Sequence, residues 1–194
     1  MDKDLTVTVR PEEPGDQDAV RRVVLDAFGD DGERVADLVD ALTADGSRRV
    51  SLVAEVDGKV CGHVQLSRSW IDARERLVEV LVLSPLSVAP DRQGQGIGTT
   101  LVRAAVEAAA ADRAPALFLE GSPDFYGARG FESGASRGFL RPSVRIPEPA
   151  FQVVVLDAHE DWMTGALVYC EAFWTHDCIG LRDPLLADLE ARFL

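Results

Sequence analysis

The sequence predicts a mixed α/β fold of the α+β kind, with a mostly antiparallel central sheet flanked by helices. Three stretches carry that reading. Leu77 to Val88 is a run of aliphatic and β-branched residues, strand-like in composition and too short to span a bilayer. It leads through a tight loop holding Gly94, Gly96 and Gly98 into a helix that ends near Ala111. Asp57-Gly58 separates two apolar runs and favours the positive backbone angles of a type I′ turn, so its flanking strands pair as an antiparallel hairpin. Ala116 to Leu119 is a short apolar strand beyond the helix, and a strand–helix–strand crossover places it parallel to the central strand.

In chain order, Leu5 to Arg10 alternates as a strand and Pro11 ends it. Pro14-Gly15-Asp16 opens a helix through Val20, Val23, Val24, Ala27 and Phe28, which Gly29 stops. A second helix puts Val35, Leu38, Val39 and Leu42 on one face and runs to Gly46. Ser51 to Val56 and Lys59 to Leu66 are the hairpin strands, and Asp72 to Arg76 is a charged turn into the central strand. Ile97, Leu101, Val102, Ala105, Val106 and Ala109 recur at helical spacing. Asp112-Arg113-Ala114-Pro115 breaks that pattern, and Glu120-Gly121-Ser122-Pro123 starts a short helix with proline at a tolerated first-turn position. Gly134 to Ser143 reads as a loop, and Phe151 to Leu156 and Gly165 to Cys170 read as strands, the latter ending near Phe173 and Trp174. Asp183-Pro184 begins a last amphipathic helix bearing Leu185, Leu186, Leu189 and Phe193.

The glycine loop is the first functional feature. A helix leaves the N–H groups of its first turn unpaired and carries partial positive charge there, so a glycine loop at a helix start is an anion site made of backbone. Side chains at those glycines would hold a ligand away from the amides. A Walker loop needs Gly-Lys-Ser/Thr, and the chain's lysines are Lys3 and Lys59. A dinucleotide fingerprint matches Gly94 and Gly96, with Glu120 as a ribose-binding acid, but Thr99 stands where its third small residue belongs. The antiparallel hairpin also argues against the parallel units of a dinucleotide fold.

Val88-Ala89-Pro90-Asp91-Arg92-Gln93-Gly94-Gln95-Gly96-Ile97-Gly98 resembles the Gln/Arg-x-x-Gly-x-Gly/Ala loop of the GNAT superfamily of N-acetyltransferases, with Gln93, Gly96 and Gly98 at its fixed positions. Tyr126, Gly130 and Phe131 match that superfamily's Tyr-x-x-x-Gly-Phe signature. Leu83-Ser84-Pro85-Leu86-Ser87-Val88-Ala89-Pro90 and the Phe125-Tyr126 pair look most like its bacterial branch of uncharacterised predicted N-acetyltransferases. The resemblance implies a central strand splayed from its parallel neighbour, with acetyl-CoA as co-substrate between them. It implies that Arg92, Gln93, Gly94, Gln95, Gly96, Ile97, Gly98 and Thr99 hold the pyrophosphate. Backbone at Leu86, Ser87 and Val88 would hold the pantetheine arm and the thioester oxygen. Pro85 fits a departure from the regular ladder, since it lacks an N–H; its plain reading is an early strand end. The two N-terminal helices would cover part of the acceptor site near Phe28 to Val35, and as bare sequence they read equally as surface helices over a core.

Acyl transfer to an amine needs a neutral amine, a polarised thioester carbonyl and a proton for the departing thiolate. The resemblance makes Tyr126 the general acid, and a phenol keeps its proton at neutral pH with a pKa near ~10. The general base stays open. Some members carry a glutamate on the central strand; the matching position is Val82, and the nearest acid is Glu79. Glu120, Asp124 and His63 are the other candidates. Cys61 with His63, and Cys170, His176 and Cys178, lack zinc spacing and a full ligand set, so no metal is expected. Nor is there a Gly-x-Ser-x-Gly elbow, which favours direct transfer over an acyl-enzyme. The leading function is an acetyl-CoA-dependent N-acetyltransferase for a primary amine of a small molecule or protein. The alternative is a catalytically reduced coenzyme A-binding sensor or interaction module.

The 194 residues carry a formal charge of −13, which argues against nucleic acid and anionic membrane as partners. An acidic surface suits a cationic acceptor, and serves solubility equally. An odd number of cysteines and an N-terminus without a signal-peptide core predict a cytoplasmic protein. The expected organisation is an acetyltransferase domain over residues 1–156 and a C-terminal extension over 157–194. The apolar stripe of the last helix is to be buried on the same domain or on a second copy as a homodimer.

Overall fold

The computed structural model describes residues 6–193. Among them, nine strands join in the order β1-β2-β3-β4-β5-β8-β6, with β9 paired to both β3 and β7. The ladder is mostly antiparallel, with a parallel β4–β5 pair and a second parallel pair between β7 and β9. The described residues form two compact units: 6–67 with 83–109, and 68–82 with 110–193.

The first unit begins with β1 (Val7–Pro11), antiparallel to β2 (Arg48–Val56). Leu5, the first residue of the predicted strand, lies outside the described residues. The helices α1 (Gln17–Phe28) and α2 (Gly32–Ala44) follow the predicted faces, burying Val20, Val23, Val24, Val35, Leu38, Val39 and Leu42. Val20, Val24, Val35, Ala36 and Val39 close on Val53 of β2. Each such aliphatic side chain contributes about 1.5–3 kcal/mol on full burial. The hairpin turn forms at Asp57 and Gly58, both with positive φ, and β3 (Lys59–Ala73) returns from it. Gly62, paired with Ala54, turns its opposite face to α3 (Ile97–Ala111), where a Cβ would fall 2.9 Å from Leu101 and 3.1 Å from Ile97. So α1 and α2 cover one face of the hairpin and α3 the other.

In the second unit, β3 runs on to Ala73, seven residues past the predicted end at Leu66, and Asp72 belongs to the strand rather than to the turn. Its polar Ser67, Arg68, Ser69 and Asp72 mask the strand signal, but a ladder from Trp70↔Val168 to Ala73↔Gly165 holds this stretch against β9 (Gly165–Val168). The central strand β4 spans Leu77–Val88 as predicted and passes through the buried Pro85, so proline does not end it early. Its parallel ladder with β5 (Ala116–Glu120) consists of Leu81↔Leu117 and Val82↔Phe118. After α4 (Pro123–Gly127) come β6 (Glu132–Ser133), β7 (Phe139–Leu140) and β8 (Phe151–Val155). The predicted Gly134–Ser143 loop thus contains β7, whose two residues are too few for any periodicity. Phe139 is buried there edge-on to Phe118 at 4.9 Å, and Phe118 stacks on Phe151 at 5.7 Å. A short α5 (Glu171–Thr175), unanticipated from sequence, and α6 (Leu185–Phe193) complete the unit.

Candidate active site

The loop after β4 lies in the first unit. Ala89 N–H bonds the Cys61 carbonyl at 2.9 Å, which ties the end of β4 to β3. A 3-10 turn at Pro90–Arg92 follows, and the Gln93 side-chain amide reaches back to the Val88 carbonyl at 3.1 Å. Gln95 does the same to Asp91 at 3.1 Å. These two side-chain bonds brace the loop. Gly94 and Gly96 have φ of +73° and +83°, and a Cβ at either would meet nothing within 4 Å. The backbone here is therefore bent for glycine, not crowded by protein. Thr100 N–H donates to the Gly96 carbonyl at 3.0 Å, so the amides of Ile97 and Gly98 precede the first bond of the helix. Arg92 pairs loosely with Asp91 at 3.7 Å and keeps a cation at the loop. Upstream, Leu86 and Val88 are partly exposed, while the Ser87 hydroxyl is buried without a protein partner.

Tyr126 lies in the second unit, on α4. Its ring sits edge-on to Phe125 at 4.8 Å and to Phe131 at 5.7 Å, which gives the Tyr-x-x-x-Gly-Phe spacing its physical meaning. Beneath it is Gly121, where a Cβ would fall 2.3 Å from the ring. Gly121 is pinned on both sides: its N–H donates to the Ala150 carbonyl at 3.0 Å, and its carbonyl accepts from Gln152 Nε2 at 2.9 Å. Burial pushes the Tyr126 phenol up to about 12, so it stays protonated throughout the physiological range.

Of the candidate bases, Glu79 is exposed between the buried Val78 and Val80. His63 is fully buried on the α1–α2 face, its Nε2 2.9 Å from the Ser51 hydroxyl, which donates to Glu12. Burial, aided by Arg48, lowers His63 to about 3, so the ring is neutral and a weak proton acceptor. Gln65 and Ser67 continue this buried polar row along β3, with side-chain atoms lacking protein partners. Asp124 is exposed on α4. Glu120 ends β5 and accepts from the Tyr169 hydroxyl and the Gly180 N–H, each at 2.8 Å. Burial raises its pKa against the effect of these two donors. Tyr169, Gly180 and Gln152 are site residues that sequence reasoning missed. Cys170 is buried, and Cys178 donates to the His176 carbonyl at 3.4 Å.

A glycine loop at a helix start, following the central strand of a mostly antiparallel sheet in which β4 and β5 share a short parallel ladder, matches the acetyltransferase class of α+β folds. The family described as "Acetyltransferase (GNAT) family" matches residues 18–131, and the chain belongs to it. It is 35% identical over 136 residues to the uncharacterised N-acetyltransferase YjhQ of Escherichia coli (strain K12), covering 69% of this chain and 74% of that protein. The uncharacterised N-acetyltransferase YhbS of the same strain is 32% identical over 167 residues, 85% of this chain and 97% of YhbS. The crystal structure of Escherichia coli YhbS in complex with CoA superposes with a TM-score of 0.78 at 28% identity, over 89% of this chain and 94% of that one. A GNAT family acetyltransferase from Brucella melitensis in complex with acetyl-CoA gives 0.70 at 30% identity, over 87% and 98%.

Proposed function

We propose that the protein is an acetyl-CoA-dependent N-acetyltransferase that moves an acetyl group to a primary amine of a small molecule or protein by direct transfer. The observation that carries this reading is the Gln93–Thr99 loop, where Gly94 and Gly96 hold positive φ and leave open space where a side chain would stand, at the start of a fifteen-residue helix. The solved relatives that hold CoA and acetyl-CoA support the same ligand. Amides of Gly94 to Thr99, with Arg92, hold the pyrophosphate, and the backbone of Leu86, Ser87 and Val88 holds the pantetheine arm and the thioester oxygen. The amine lone pair attacks the thioester carbon, a C–N bond forms and the C–S bond breaks. Tyr126 gives its proton to the departing sulfur, and the proton lost by the amine passes to a carboxylate or water, from which the phenolate is recharged. Glu79, on the central strand and open to solvent, is one such carboxylate. The odd number of cysteines supports a reducing compartment, consistent with a cytoplasmic enzyme.

The test is to mix the purified protein with acetyl-CoA and a panel of primary amines and follow release of the coenzyme A thiol. Amine-dependent thiol release is expected. Tight acetyl-CoA binding with no release for any amine would replace this reading with that of a coenzyme A-binding sensor module.

A further inference from the structure

Gly121, on which the Tyr126 ring rests, also lines a cavity of about 720 Å³ formed wholly within the second unit. Small-molecule pockets run to about 300–1,000 Å³ and combine apolar walls with a few placed polar groups. Here Pro147, Pro149, Leu181 and Leu189 supply apolar wall, and Glu120 and Asp124 supply carboxylates. We propose that this cavity is the acceptor pocket and that it takes a primary amine with an apolar body, its ammonium seated on the Glu120 carboxylate until it gives one proton to solvent and attacks as the neutral amine. The proposal rests on the acetyl-transfer reading above and adds to it the acceptor's chemical class.

The charge arrangement selects the cation. Tyr169 and Gly180 fix the two Glu120 oxygens at 2.8 Å each, but both donors are neutral. The cation that acts on Glu120 is Arg145, and it is engaged with Asp177 at 3.2 Å. A partly buried carboxylate held by neutral donors gains most from a ligand that brings its own positive charge. The second carboxylate, Asp124, repels acceptors bearing an anionic group. Walls of proline and leucine favour an alkyl or aryl body over a heavily hydrated one. The shared Gly121 places this ammonium site beside the tyrosine that serves the leaving group. Residues of the C-terminal segment complete the pocket: Gly180, whose N–H holds Glu120, and Leu189 both line it.

The experiment titrates the full chain with 4-phenylbutylamine and, as the uncharged match, 4-phenylbutanol, by calorimetry, with acetyl-CoA titrated separately. Two variants accompany the wild type: Glu120→Gln, which keeps the shape, and Leu189→Trp, which fills the cavity without touching the carboxylate. The amine is expected to bind at least tenfold more tightly than the alcohol. Glu120→Gln should remove that preference and Leu189→Trp should weaken both probes, with acetyl-CoA affinity unchanged in each. Equal binding of amine and alcohol to the wild type, or amine binding that neither variant moves, overturns the pocket assignment and leaves the acetyl-transfer reading standing. Loss of acetyl-CoA binding in the wild type strikes that earlier reading instead. If Glu120→Gln fails to fold, the amine–alcohol comparison and Leu189→Trp still decide.

Discussion

Tyr126 and Gly121 work as a pair, because the ring approaches so closely that a Cβ at Gly121 would fall 2.3 Å from it. Tyr126→Phe keeps every ring contact and removes only the hydroxyl. Turnover is expected to fall about ten- to a thousand-fold with acetyl-CoA affinity nearly unchanged, and equal turnover in steady-state assays would take Tyr126 out of the mechanism. Gly121→Ala should give a similar loss by displacing the ring, since its Cβ would fall 2.3 Å from it. Because the phenol sits near 12, no loss of activity from its ionisation is expected between pH 7 and about 10. At the loop, a Cβ at Gly96 would meet no protein atom within 4 Å, so a leucine there, on backbone already strained for it by a φ of +83°, would stand in the space proposed for the pyrophosphate. Calorimetry on a folded Gly96→Leu protein should show acetyl-CoA binding at least tenfold weaker, a difference of about 1.4 kcal/mol. Tyr126 and the loop glycines are legible in sequence because each acts within a few residues of its neighbours. Tyr169 and Gly180 are not, since they reach Glu120 across 49 and 60 residues of chain.

Among the elements, α1 is set on β1 by ions rather than by a side-chain cap. Asp16 accepts from Arg10 at 2.6 and 3.0 Å and from the Glu13 N–H at 2.8 Å, while Arg10 also reaches Glu55 at 2.6 Å. The hydrogen bonds from Arg10 and then from Glu13 hold the Asp16 carboxyl down at about 2. A depressed carboxylate stabilises the fold above its unfolded pKa of ~3.9, and that stability is lost as pH falls from about 4 through about 2. Asp16→Asn should therefore melt roughly 2–4 °C lower at neutral pH, with the gap to wild type closing toward pH 2; the solvent-facing guanidinium keeps the effect modest. Thermal melts across that range check it. Element order was readable where periodicity ran for a full helix or strand, as in α2, α3 and β4. It was not readable for β7 or for the polar end of β3, whose ladders depend on β9, a strand about 26 residues beyond β7 and about 95 beyond that part of β3.

At the scale of the whole molecule, residues 157–193 belong to the same compact unit as 110–156. Within α6, Leu186 is partly buried and Leu189 lines the unit's own cavity, while Leu185 is 54% exposed; the Phe193 side chain lies outside the described residues. A stable dimer buries about 800 Å² per partner, far more than one leucine supplies. Leu185→Glu is accordingly expected to leave the sedimentation coefficient at micromolar concentration unchanged, and a shift from dimer to monomer would locate self-association on this helix. The short ladder between β4 and β5 has a consequence in time. It ends at Val82↔Phe118, yet β4 continues to Val88. Amide hydrogens held in a ladder exchange with deuterium only when the structure opens, whereas amides without such a partner exchange far sooner. If the pantetheine arm adopts the backbone of Leu86 and Val88, peptides covering 83–88 should gain protection when acetyl-CoA is added, and those covering 77–82 should keep their rate. Identical deuterium uptake over 83–88 with and without the cofactor would show that this stretch of strand never acquires its missing neighbour.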